Sequence, residues 1–242
     1  MSSTVKKDGT RIKICGLFRD EDIEYANEAR PDYAGFVFAP SKRQVTPALA
    51  GRLSRHLRKD IIPVGVFVDT PIADIIGLYF EGAIAIAQLH GTEDEAYITK
   101  LKLASSTGGM EPIQVIKTVN SLSLNNYTVH NNSVTHTQQE PLLSNLVRVG
   151  SWSNFAKIEK GVDYYLVDPG AGSGKKFNWN LITQNTFSRP WFLAGGVNAK
   201  NVKQAMALRP FAVDVSSGVE TEGVKDRKKM VQITSIVRTG NE

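Results

Sequence analysis

The 242-residue chain holds one cysteine, Cys15, and it closes a short apolar run, Ile12–Cys15. A thiol is a candidate general base, but with an ordinary pKa of about 8.5 it is only a few per cent thiolate at pH 7. That deficit is roughly 2 kcal/mol, and neighbouring positive charge could offset much of it. Asp168 closes another run, Tyr164–Asp168, and has the converse problem. Near its ordinary pKa of about 3.9 it would be almost wholly ionised, so it can serve as an acid only if burial or a nearby anion raises that value. Each residue also has a plainer reading. A lone cysteine is commonly a small buried hydrophobe, and an aspartate after a strand is commonly a helix cap.

Other polar residues fall at the ends of similar runs. Arg43 follows Tyr33–Phe38, Asp69 ends Ile62–Val68, and Gln88 and His90 end Ile84–Leu89. Arg43 has the fork that suits a carboxylate, although beside Lys42 it also reads as a solvated cation. His90 is either catalytic or a rim histidine that holds a loop. Two late segments, Leu193-Ala194-Gly195-Gly196-Val197 and Asp214-Val215-Ser216-Ser217-Gly218-Val219-Glu220, carry small residues that leave backbone N–H groups open to a phosphate. Tight turns are the alternative for those glycines. Ala171-Gly172-Ser173-Gly174-Lys175-Lys176 imitates a nucleotide P-loop but lacks the required spacing, and reads as a loop closing over the site.

The elements that must position these residues follow a repeated pattern of apolar run and amphipathic stretch. Eight strands are predicted: Ile12–Cys15, Tyr33–Phe38, Ile62–Val68, Ile84–Leu89, Ile113–Thr118, Tyr164–Asp168, Trp191–Ala194 and Phe211–Val215. Most are continuously apolar, as parallel strands covered on both faces should be. Helices are expected over Asp20–Ala29, Ala48–Leu57, Glu93–Leu103, Asn201–Leu208 and Asp226–Arg238, with apolar residues at spacings of three and four. Eight such units predict an α/β fold, a single-domain (β/α)8 TIM barrel, whose chemistry belongs at the carboxyl ends of the strands. An open doubly wound sheet is the alternative, but Lys13-Ile14-Cys15-Gly16-Leu17-Phe18 is no dinucleotide fingerprint. The polar stretch Asn120–Glu140 reads as an inserted loop after strand five. Its His130 and His136, with Glu140 as the one nearby carboxylate, suit surface positions better than a metal site.

Composition narrows the class. The chain is 41% hydrophobic and 22% charged, with a formal charge of +5. The basic residues are scattered rather than gathered in a stripe, which disfavours nucleic acid and suits an anionic small molecule. No apolar run approaches the roughly 20 residues of a membrane-spanning helix. Residues 1–10 read as a flexible polar extension without the apolar centre of a secretory signal, and the single cysteine fits a reducing compartment. The expected setting is the cytoplasm, as a monomer or homodimer.

Taken in order, the chain resembles the phosphoribosylanthranilate isomerase family. The resemblance rests on Lys13-Ile14-Cys15-Gly16, Gly35-Phe36-Val37-Phe38 with Ser41-Lys42-Arg43, Val64-Gly65-Val66-Phe67-Val68 and Gln88-Leu89-His90-Gly91. It continues through Asp168 with its glycine-rich follower, Leu193-Ala194-Gly195-Gly196 and Asp214–Glu220. It spans about residues 11 to 238 except the polar insertion; Pro169 stands where a serine is common, and the loop after it is slightly short. The resemblance implies an Amadori rearrangement of N-(5-phosphoribosyl)anthranilate without a cofactor. In it Cys15 is the base, Asp168 the acid and Arg43 the reader of the anthranilate carboxyl. Gln88, His90 and Asp214 would touch substrate, and Gly195, Gly196, Ser216, Ser217 and Gly218 would hold its phosphate. Two other functions share parts of this pattern. A histidine-pathway aminoaldose isomerase would use the same phosphate loops but ordinarily two aspartates, where strand one here ends in Cys15. A phosphate-binding scaffold would bind without turnover, and would need neither Cys15 nor Asp168.

Overall fold

The computed structural model describes residues 9–120, 160–168, 179 and 187–241. Residues 1–8, the polar insertion beyond Asn120, and Pro169 with the glycine-rich segment after it lie outside the described residues.

Eight strands close into one parallel barrel in sequence order, β1 pairing with β8. They are β1 (Arg11–Cys15), β2 (Tyr33–Val37), β3 (Ile62–Phe67), β4 (Ile86–Leu89), β5 (Gln114–Asn120), β6 (Tyr164–Asp168), β7 (Trp191–Leu193) and β8 (Ala212–Val215). The described helices are α1 (Asp20–Ala29), α2 (Pro47–His56), α3 (Ile72–Phe80), α4 (Glu95–Ser105), α5 (Val202–Ala207) and α6 (Arg227–Thr239). All eight predicted strands are present, with shifted ends. β4 begins two residues late and β5 runs two residues further, to Asn120. Asp69 does not end β3 but lies two residues past it, with φ of 47°.

Local chemistry explains several boundaries. Thr46 caps α2 by accepting from the Leu49 N–H, with Pro47 at the first helical position where its missing donor costs nothing. Asp94 caps α4 through the Tyr97 N–H, which moves the start of that helix from the predicted Glu93 to Glu95. Asp226 caps α6 in the same way through Lys229. α3 was not among the predicted helices. Its sequence, IADIIGLYF, holds one charged residue, Asp74, and buries Ile75 and Leu78.

The barrel interior is layered. Tyr33, Val64, Ile86, Ile116, Leu166, Phe192, Ala194 and Ala212 form an inner apolar cluster, with Tyr33 and Phe192 meeting edge to face at 5.4 Å. Side chains alternate across a strand, so the residue two further along points to the same side. Two residues after Ile86, Ile116, Leu166 and Ala212 come Gln88, Thr118, Asp168 and Asp214. An apolar plug thus gives way to a polar layer toward the carboxyl rim. On β1 the same alternation aligns Lys13 with Cys15, and Lys13 stands in register with Asp214. The outer faces pack against the helices in a second cluster that includes Ile12, Ile14, Val213, Val215, Met230, Ile233 and Val237.

No described helix is long and apolar enough to cross a membrane.

Candidate active site

Two groups of polar side chains occupy the carboxyl rim. The first gathers around Cys15, which is 8% exposed at the end of β1. Gly35 of β2 lies so close that a Cβ there would sit 2.8 Å from the Cys15 sulfur. Lys13, fully buried, places its Nζ 3.0 Å from Asp214 Oδ1, and its charge acts on Cys15, two residues along the same strand face. From loop eight, Ser216 Oγ donates to the Cys15 carbonyl at 3.1 Å. Burial pushes the Cys15 thiol up from its ordinary value; Lys13 and Lys225 oppose that rise, while Asp214 adds to it.

Next to this group lies an ion-pair network that the sequence reading did not foresee. After a short turn, Ser217–Val219, the chain forms a small antiparallel hairpin of β9 (Glu220–Thr221) and β10 (Val224–Lys225). Glu220 accepts two hydrogen bonds from Arg43, from Nε at 2.6 Å and Nη2 at 2.7 Å. Lys225 Nζ donates to Glu220 Oε1 at 2.8 Å and to the Ser216 carbonyl at 3.1 Å. Despite burial, these cations hold the Glu220 carboxyl down at about 2. Arg43 is therefore not the solvated cation of its plainer reading: it is bound across 177 positions of sequence to the hairpin. Gly16, with φ of 81°, makes room for it, since a Cβ there would meet the Arg43 Cδ at 2.4 Å.

The second group faces it from β4 to β6. His90 Nε2 lies 3.8 Å from Asp168 Oδ2, while its Nδ1 meets Gln88 Nε2 at 3.3 Å and Thr118 Oγ1 at 3.2 Å. Burial pulls the His90 pKa down, and the Asp168 charge only partly opposes this, so the imidazole is neutral at pH 7. Gln88 is 2% exposed, and its Oε1 has no hydrogen-bond partner among the described residues. Beneath His90 a buried pair, Lys117 and Glu93 at 2.7 Å, ties down the loop after β4. Glu93 accepts from the Asp69 and Gly91 N–H groups, and Lys117 donates to the Gly91 carbonyl.

Loops seven and eight lie side by side. Gly195 and Gly196 have φ of 90° and 71°, and a Cβ at Gly196 would meet nothing within 4 Å. Gly218 is packed instead: a Cβ there would lie 1.9 Å from the Val197 carbonyl oxygen. Gly196 thus leaves its backbone uncovered, and Gly218 lets the two loops touch. Among the described residues no group of three or more His, Cys, Asp or Glu side chains could hold a metal ion.

Of the residues singled out from sequence, the structure brings Cys15, Asp214 and Ser216 together on one side, and Gln88, His90 and Asp168 on the other. Lys13, Glu220 and Lys225 were given no part. Lys13 could have been found: a lysine two residues before Cys15 must share its face, and that face is buried. Lys225 carries no such signal, because its place depends on a hairpin too short to show in the pattern.

The geometry can be set beside known proteins. The family described as N-(5'phosphoribosyl)anthranilate (PRA) isomerase matches residues 12–123 and 114–235. The N-(5'-phosphoribosyl)anthranilate isomerase of Endomicrobium trichonymphae is 37% identical over 95% of this chain and 98% of its own. Among solved structures, phosphoribosyl anthranilate isomerase from Thermotoga maritima is 32% identical with a TM-score of 0.70, covering 95% of this chain and 99% of that one. Another phosphoribosyl anthranilate isomerase is 30% identical with a TM-score of 0.69 over the same shares of both chains. It was solved in complex with reduced 1-(o-carboxyphenylamino)-1-deoxyribulose 5-phosphate. Fold, rim and full-length similarity agree: the chain belongs to the N-(5'-phosphoribosyl)anthranilate isomerase family.

Proposed function

We propose that this chain converts N-(5'-phosphoribosyl)anthranilate to 1-(2-carboxyphenylamino)-1-deoxyribulose 5-phosphate in tryptophan biosynthesis, with Cys15 as general base and Asp168 as general acid. Asp168 delivers a proton to the furanose oxygen as the ring opens, and the substrate nitrogen carries the resulting cation as a Schiff base. Cys15 takes the C2' proton, the electron pair moves toward nitrogen, and the enol formed settles as the ketone. The substrate nitrogen supplies the electron sink, so this chemistry calls for no cofactor.

One observation carries the reading. A thiol and a carboxyl end β1 and β6 of one barrel and open on one rim, beside loops whose uncovered backbone suits a phosphate. Gly195, Gly196, Ser216, Ser217 and Gly218 take the phosphate. Arg43 reads the ring carboxylate: Glu220 occupies its Nε and Nη2, and Nη1 makes no hydrogen bond among the described residues. Asp214 acts through Lys13, and Gln88 and His90 border the acid. The partner is this small phosphorylated substrate, and the enzyme works in the cytoplasm as a monomer or homodimer.

The test is loss of phosphoribosylanthranilate fluorescence with purified protein. Wild type should turn over, and Cys15→Ser and Asp168→Asn should not; an inactive wild type, or a fully active Cys15→Ser, would overturn the assignment.

A further inference from the structure

Cys15 is buried among charged side chains from three parts of the chain. Lys13, Lys225 and Arg43 place three cations in its surroundings, and Asp214 and Glu220 place two carboxylates. On the opposite strands Asp168 lies 3.8 Å from the imidazole of His90, whose pKa burial pulls down. Of the three cations, Lys13 is the one that shares a strand face with Cys15, two residues along β1, and it is fully buried. Glu220 holds both other cations by side-chain hydrogen bonds.

We propose that Lys13 is a positioning residue that favours the thiolate Cys15 must form to accept a proton, with Asp214 fixing the ammonium between the two strands. The proposal rests on the reading of Cys15 as the base. Lys13 takes no substrate proton and exchanges none in the cycle: it remains an ammonium that donates to Asp214, and its charge favours the anionic form of Cys15. Asp214 has two opposed effects. It keeps Lys13 charged, and its own negative charge resists a second anion nearby.

These opposed effects give the test its sign. Cys15 is the one cysteine in the chain, so the rise of thiolate absorbance with pH, taken as the difference from Cys15→Ser, titrates this group alone and needs no turnover. An opposite charge a few ångströms away commonly shifts a pKa by about 1 to 3 units. Lys13→Met should move the thiol inflection up by about one unit or more, and the rising limb of kcat/KM should move with it. Asp214→Asn, which keeps Lys13 and removes the neighbouring anion, should move the inflection down. A merely structural pair would leave both inflections in place or move them together, and either result overturns the proposal. If Lys13→Met does not fold, Lys13→Arg and the opposite shift of Asp214→Asn remain. Lys13→Arg should keep the wild-type inflection within about half a unit while lowering kcat through changed geometry; an inflection raised as in the absence of charge would count against it. Failure of the general-base reading looks different: the thiol inflections would shift as described while kcat/KM ignored them.

Discussion

At the residue scale, the proposed base and the proposed acid, Cys15 and Asp168, end different strands of one barrel. Cys15 sits among cations yet is buried, and burial wins: the thiol is pushed up. The sign for activity follows. A base that must lose its proton, working with an acid that must keep its own, gives a kcat/KM that rises and then falls with pH, visible in initial rates across the range. A flat profile would remove Cys15 from the base role. Removing either positioned group should reduce turnover by a factor of about 10² to 10⁴ in a folded protein, as judged by circular dichroism and kcat for Cys15→Ser and Asp168→Asn. Glu220 provides a stability test. Its carboxyl lies at about 2 when folded against an ordinary 4.5, because Arg43 and Lys225 bond its charged form. A depressed carboxyl adds stability that is present above the unfolded value and is lost as pH falls from about 4.5 toward 2. Urea midpoints should therefore show Glu220→Gln less stable than wild type at pH 7, with the gap closing toward pH 2. A gap that stays constant would mean the ion pairs contribute nothing.

At the scale of elements, the loops after β7 and β8 separate two uses of glycine. Gly196 has a left-handed φ but open space around it, so Gly196→Val costs mainly backbone strain, about 1–2 kcal/mol, together with lost access for the phosphate. Gly218→Ala meets the Val197 carbonyl at 1.9 Å and must push loops seven and eight apart. Overpacking of this kind costs about 1–3 kcal/mol, and inorganic phosphate should compete with substrate at least tenfold more weakly. Unchanged inhibition by phosphate in Gly218→Ala would place the anion elsewhere. Periodicity made the elements legible: each strand was a short apolar run, and α1 carries its acidic first turn from Asp20. Boundaries were less so, because a cap decides them, as Asp94 does for α4. The hairpin Glu220–Lys225 was hidden for a physical reason. Strands of two residues have no period, and their place is fixed by ion pairs to Arg43 far along the chain. The pairing of Arg43 with Glu220 was illegible on the same ground, although both residues lay in motifs already marked.

At the scale of the whole molecule, closing the barrel and building the site are the same event. The β1–β8 seam puts Lys13 opposite Asp214, joining residues 201 positions apart; until the two ends of the chain meet, neither ion has its partner. The seam is covered from outside by α6, whose Met230, Ile233 and Val237 are all fully buried. Its underside is tied at the barrel's opposite end by Asn241, which accepts from the Thr10 N–H at 2.9 Å and donates back to the Thr10 carbonyl. Truncating a buried isoleucine to alanine typically costs about 2–5 kcal/mol, so Ile233→Ala should lower the urea midpoint by an amount in that range. Ile233 belongs to the outer cluster and Cys15 to the inner polar layer, with β1 and β8 between helix and rim. Well below its melting temperature, the folded fraction of Ile233→Ala should keep kcat within about twofold of wild type. Heating should then abolish activity and secondary structure together, at a lower temperature than in wild type. Loss of kcat in fully folded Ile233→Ala would show that the seam transmits packing defects to the Lys13–Asp214 pair, and that the outer cluster and the polar layer are one mechanical unit.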